Sequence, residues 1–217
     1  MDFFDYMIPI FIAIGIVLTV VNAVLTYKVC SKHPKLYILF NLLIMLYPYV
    51  YMLVLLGGYL FNTAAPEEIK SDYFFSETLG IGTIIFFTIH PLIVGSLIGD
   101  FLLARREMIP ARQAAKVNML IKLVQIPAYV FHFILGMIGT VASIWGIGFI
   151  LFAVIIDIVT IVFSGTQCLA AIRGIYKQKG LLKWQAILFA FLSYIYCVDV
   201  AISIVMFVMI SKRSKTV

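Results

Sequence analysis

The chain has 217 residues, of which 64% are hydrophobic and 12% charged. Its mean hydropathy is +1.11. These values exclude a soluble globular domain and predict an integral membrane protein. The net charge of +6 is carried mainly by short loops between apolar runs, which fits contact with anionic lipid headgroups and no nucleic-acid partner.

A membrane-crossing helix needs about 20 apolar residues. Read in chain order, such runs predict an all-α, polytopic transmembrane bundle forming one domain over 1–217, with six spans: 7–29, 36–61, 79–104, 117–141, 147–172 and 184–210. Acidic residues Asp2 and Asp5 precede the first run, without a basic leader, so the first span is expected to persist. The loops "KVCSKHPK", "ARREMIPARQAAK" and "RGIYKQKGLLK" hold eleven basic residues, and the positive-inside rule places them in the cytoplasm. The acidic loop with Glu67, Glu68, Asp72 and Glu77, the turn at "ASIWG" and the N-terminus then lie outside. With six spans the basic tail, with Lys212, Arg213 and Lys215, ends outside too, against the rule. Tyr27, Tyr59, Trp145 and Trp184 are expected to anchor span ends. Cys30, Cys168 and Cys197 have no metal-ligand spacing and predict no disulfide framework.

His90, His132, Asp157 and Asp199 each fall nine to eleven residues from the outer end of a predicted span. At about 1.5 Å per residue this is about 15 Å, half the hydrocarbon thickness, so the four are expected at one midplane level. A charge there is costly and is by default a functional hypothesis. The four are candidate ligand- or proton-binding residues, with Asp157 and Asp199 carrying charge or protons and the histidines as partners.

Polar residues share helical faces with them. Asn118, Lys122, Gln125, Tyr129, His132, Gly136 and Gly139 recur at steps of three and four in the fourth predicted span. Asp157, Thr160, Ser164 and Gln167 do so in the fifth, and Tyr196, Asp199 and Ser203 in the sixth. Thr19, Asn22 and Thr26 align in the first, Tyr37 and Asn41 in the second. Gln125, Tyr129, Thr160, Ser164, Tyr196, Ser203 and Asn22 are the expected secondary lining. Most of these groups lie on the basic-loop side of the four, which predicts a polar vestibule open to the cytoplasm. Asp100 is expected to pair with an interfacial Arg such as Arg105 or to sit in headgroup water, and Lys122 to snorkel toward the headgroups. Pro48, Pro91 and Pro127 are expected to bend their helices and free carbonyls.

The stretches "KLVQIPAYVFHFILG", "IWGIGFILFAVIIDIVTIVFSG" and "YCVDVAISIV" resemble small multi-span membrane proteins of low-GC Gram-positive bacteria whose function is unknown. The resemblance covers the second half of the chain, implies a bacterial plasma-membrane protein and carries no site residues. In size and span number the chain is also similar to the substrate-binding subunits of energy-coupling vitamin transporters, from which outward termini would depart.

No phosphate-binding loop or nucleophile elbow occurs, and no cofactor or metal is expected. The expected activity is binding, and moving, a small solute or cation through the midplane site, within the lipid bilayer; the sequence names no protein partner. Two alternatives are a non-catalytic accessory or assembly protein, whose polar groups fasten helices, and an intramembrane enzyme assembled from His, Asp and Ser on different helices.

Overall fold

The computed structural model describes residues 3–64, 70–141 and 146–213; for 3–8, 61, 62, 64 and 70–79 the helical backbone is described and the side chains are not. Asp2, Glu67, Glu68, Trp145 and Lys215, and the side chains of Asp5, Asp72 and Glu77, therefore lie outside the described residues. The described elements are helices: α1 (Phe3–Lys32), α2 (Pro34–Ile44), α3 (Tyr47–Ala64), α4 (Lys70–Arg105), α5 (Ala111–Val141), α6 (Ile147–Lys177), α7 (Lys183–Leu192) and α8 (Val198–Arg213). Five helical segments are long and apolar enough to cross a membrane: α1, α2 with α3, α4, α5 and α6. They fit a multi-pass integral membrane protein.

The second segment is interrupted at Met45 and Leu46, just before Pro48. Proline has no N–H to offer the carbonyl of Ile44, so α2 stops there and α3 restarts with Pro48 in its first turn, where a missing donor costs little. Pro91 and Pro127 lie inside continuous helices. The carbonyls around Pro91 are used by α1: Thr19 donates to Pro91 O at 3.2 Å, and Asn22 Nδ2 donates to Leu92 O.

Helix α1 packs closely along α4, and α5 along α6. Gly95 and Gly99 supply the first approach: a Cβ on Gly99 would stand 2.6 Å from Thr26 Cβ, and one on Gly95 would strike the backbone of α1 at Thr19 O. Small residues four apart are how membrane helices come this near. Gly139 plays the same part between α5 and α6, against Gly146 and Ile150.

One end of the bundle gathers the basic loops. Arg106 donates to Tyr27 Oη at 2.6 Å, Gln113 Nε2 to Pro34 O, and Lys177 to Arg105 O at 2.6 Å. Gln178 joins the α6 end to the α4–α5 turn, accepting from Ala111 N at 2.8 Å and donating to Ile109 O at 2.7 Å. The turns leaving α4 and α6 use left-handed residues, Glu107 and Lys179, both at φ 57°.

The predicted span 184–210 is not a continuous helix. Helix α7 ends at Leu192, a turn over 193–197 contains Cys197 at φ 64°, and α8 begins at Val198. Arg213, in the last turn of α8, donates to Gly180 O before α7 at 2.8 Å, and a Cβ on Gly180 would lie 3.2 Å from Ile210 Cδ1. A straight helix over that interval would separate the two ends by about 45 Å. The chain therefore reverses: α7 and α8 form a helical hairpin that starts and finishes at the basic end. The sixth predicted span is not confirmed: the described residues hold five such segments plus this hairpin, which packs on α6 through α7 and on α5 through α8. Lys212 and Arg213 thereby join the other basic residues.

Candidate functional site

The face predicted on α5 is buried at Asn118, Lys122, Gln125, Tyr129, His132 and Gly139, and half-buried at Gly136. It meets the buried face of α6, with Thr160, Ser164 and Gln167, and the start of α8.

Lys122 is the centre of the first group. Its Nζ stands 2.6 Å from Asp199 Oδ2 and donates to Ser164 Oγ, also at 2.6 Å. Both charged side chains are completely buried. The other oxygen of Asp199, Oδ1, accepts the N–H of Val200 at 2.9 Å, in the first turn of α8, where the helix dipole favours a negative charge. Ser164 in turn donates to Thr160 O, and Thr160 Oγ1 receives the hydroxyl of Tyr47 at 2.9 Å. Tyr129 stands with its buried hydroxyl near Asp199 and Ser164, and its ring meets Tyr196 at 5.1 Å between centroids. Ser203 is buried on α8 and donates to Val200 O. The tip of the hairpin is thus locked to α5 by one ion pair and one aromatic contact.

The expectation that Lys122 snorkels to the headgroups is corrected by this geometry. Lys122 lies eleven residues into α5, too deep for its stem to reach the basic end, and it turns inward to a carboxylate that α8 delivers. No spacing within α5 announces that partner. It arrives from another helix, so only the tertiary fold could reveal it.

The second group is His132 with Asp157. Nδ1 of His132 lies 2.7 Å from Asp157 Oδ1; the histidine is buried and 20% of the Asp157 side chain is exposed. His132 Nε2 is buried without a partner. His132 is ten residues beyond Lys122 on α5, about 15 Å along the axis, and Asp157 is about 10 Å from Ser164 along α6. The single layer of four is therefore corrected to two pairs at different depths. The depth estimate failed for Asp199 because it counted from the far end of a span that does not exist.

His90 joins neither pair. Its Nδ1 meets Phe86 O at 2.9 Å and Tyr51 Oη at 3.4 Å, and its ring is surrounded by Tyr47, Phe86 and Phe163. Pro91 leaves the local helix short of one donor, and His90 turns its own ring nitrogen back onto a carbonyl of the preceding turn.

The open polar vestibule is also corrected. Asn22, Asn41, Asp100, Lys122, Gln125, Ser164 and Gln167 are all at most 5% exposed. The loops at the basic end, joined by Gln178 and Gln113, close over them. Gln125 Nε2 instead donates at 3.3 Å to Met45 O, a carbonyl at the interruption between α2 and α3. Asp100 pairs not with Arg105 but with Asn41 Nδ2 at 3.2 Å, because it points into the bundle and Arg105 points out. The cavities of about 400–520 Å³ along the bundle are surface grooves lined mainly by aliphatic and aromatic residues; one, with Tyr129, Phe133, Tyr196 and Cys197, runs beside the hairpin tip. Among the described residues no three of His, Cys, Asp and Glu come together as a metal-ligand set.

Chemically, the arrangement offers two carboxylates, each within hydrogen-bond distance of a side-chain nitrogen on α5. Comparison with protein families, with curated proteins and with solved structures finds no match to this chain.

Proposed function

We propose that the protein is a multi-pass protein of the cell membrane that binds and moves a small solute or cation, without being an enzyme, and that protonation of its buried acids controls access to the binding face. In this reading five segments cross the bilayer, and the α7–α8 hairpin re-enters from the basic end. That end is cytoplasmic by the positive-inside rule, which leaves the N-terminus outside and the C-terminus inside. The observation that carries the proposal is the fully buried Lys122–Asp199 pair at the tip of the hairpin. A proton on Asp199 removes the attraction and leaves the Lys122 charge in need of water, so the tip separates from α5 and the polar face below it becomes accessible. Asp157 with His132, farther from the basic end, is a second station on the same face.

The test is flux in proteoliposomes across a panel of ions and small solutes, with an internal pH-sensitive dye. Asp199→Asn and Asp157→Asn should abolish or sharply reduce proton-linked flux. Unchanged flux in both variants rejects the proposal. One observation favours the accessory reading: each acid already has a partner, as fasteners would. That reading expects no flux from the unmodified protein and a loss of detergent stability in both variants.

A further inference from the structure

A second polar cluster lies between α1, α2, α4 and α6, apart from both ion pairs. Asp100 on α4 is 1% exposed, and Asn41 on α2 and Gln167 on α6 are fully buried. Tyr37, 2% exposed, stands near both Asp100 and Gln167 and ties them into one neighbourhood. Asn41 Nδ2 donates to Asp100 Oδ1 at 3.2 Å, which orients its amide so that Oδ1 remains. Asp100 Oδ2 and Asn41 Oδ1 have no hydrogen-bond partner, and the buried amide of Gln167 has only the Tyr37 hydroxyl beside it.

A buried carboxylate with half of its acceptors unanswered is among the most costly arrangements a helix bundle can hold. The neighbouring groups are amides, a phenol and the buried thiol of Cys30, none of which neutralises a charge. One carboxylate plus neutral oxygens matches a single positive charge. Hard oxygen donors beside a single thiol match an alkali ion better than a transition metal, which would need several nitrogen or sulfur ligands. Calcium favours several carboxylates, and magnesium keeps water that a sealed cluster has little room for.

We propose that Asp100, with the amide oxygens of Asn41 and Gln167, forms a binding site for a dehydrated alkali cation between α2, α4 and α6. The ion supplies the charge that the cluster lacks and draws the three helices together. The inference is independent of the transport reading: the site binds its ion whether or not the two acid pairs move anything.

The experiment uses the purified full chain in detergent, with retention of radioactive sodium and thermal unfolding measured in sodium, lithium and potassium chloride against choline chloride at equal ionic strength. At least one alkali ion should raise the unfolding temperature saturably above choline. Sodium retained by the unmodified protein should be competed by that ion. Asp100→Asn and Gln167→Leu should weaken the effect by about tenfold or more, the scale on which even outer-shell partners change metal affinity. Identical unfolding in all four salts, with no sodium retained, overturns the proposal and leaves Asp100 neutralised by a proton. An alkali effect that survives both substitutions also overturns it. Should Asp100→Asn fail to fold, the unmodified protein and Gln167→Leu decide.

Discussion

Lys122 is the residue on which most of the buried polar chemistry depends. Its ammonium group answers Asp199 and Ser164 at once, and neither charged side chain touches solvent. Removing one member of such a pair leaves the other uncompensated, which costs about 3–5 kcal/mol, whereas replacing both with apolar residues of similar volume is often neutral. Lys122→Met is therefore expected to lower stability by about 3–5 kcal/mol, and Lys122→Met combined with Asp199→Leu to recover most of it. Denaturant unfolding of the single and double variants in detergent micelles measures the difference. A double variant as unstable as the single would mean that the pair contributes more than mutual neutralisation. Flux, if present in the unmodified protein, should be absent from both.

At the scale of elements, steps of three and four along α5 identified a face that is buried almost throughout, from Asn118 to Gly139. The periodicity sufficed because one helix must present one side to its neighbours. Gly95 and Gly99 escaped notice among apolar residues of α4, although their spacing is the signature of close approach. They give a contrast that composition alone would not. A methyl group on Gly95 meets the backbone of α1, which cannot turn aside as a side chain can, so Gly95→Ala should destabilise by about 1–3 kcal/mol. Nothing lies within 4 Å of a Cβ on Gly57 in α3, so Gly57→Ala should be neutral or stabilising by up to about 1 kcal/mol. Thermal unfolding of the two variants side by side checks the sign. The hairpin between α7 and α8 was harder to read. Its turn, "SYIYC", contains neither glycine nor proline and is as apolar as its flanks, and Cys197 takes a left-handed conformation that its side chain does not favour. A hydropathy window passes over it without interruption.

At the scale of the whole molecule, the hairpin changes where α8 ends, and the basic residues test that change. Six spans left the tail "SKRSKTV" on the side opposite the other basic loops, a violation with no compensating feature. The proposed arrangement of five spans and a reversal removes it: Arg213 bonds to Gly180 O, in the connection between Lys177 at the end of α6 and Lys183 at the start of α7. The violation was thus a sign in the sequence against the sixth span, because loop charge follows sidedness while hydropathy follows only length and composition. A reporter fused after Val217 should consequently fall on the same side as one inserted between Arg106 and Met108, and opposite to one fused before Met1. Paired reporters that are active only in the cytoplasm or only outside read this directly. A C-terminal reporter on the N-terminal side restores six crossings, and with them the separation of Arg213 from Gly180 by the full thickness of the bilayer. The same result would remove the hairpin tip from the proposed mechanism, since Asp199 would then belong to a fixed crossing helix and could not leave Lys122 by withdrawal of a hairpin.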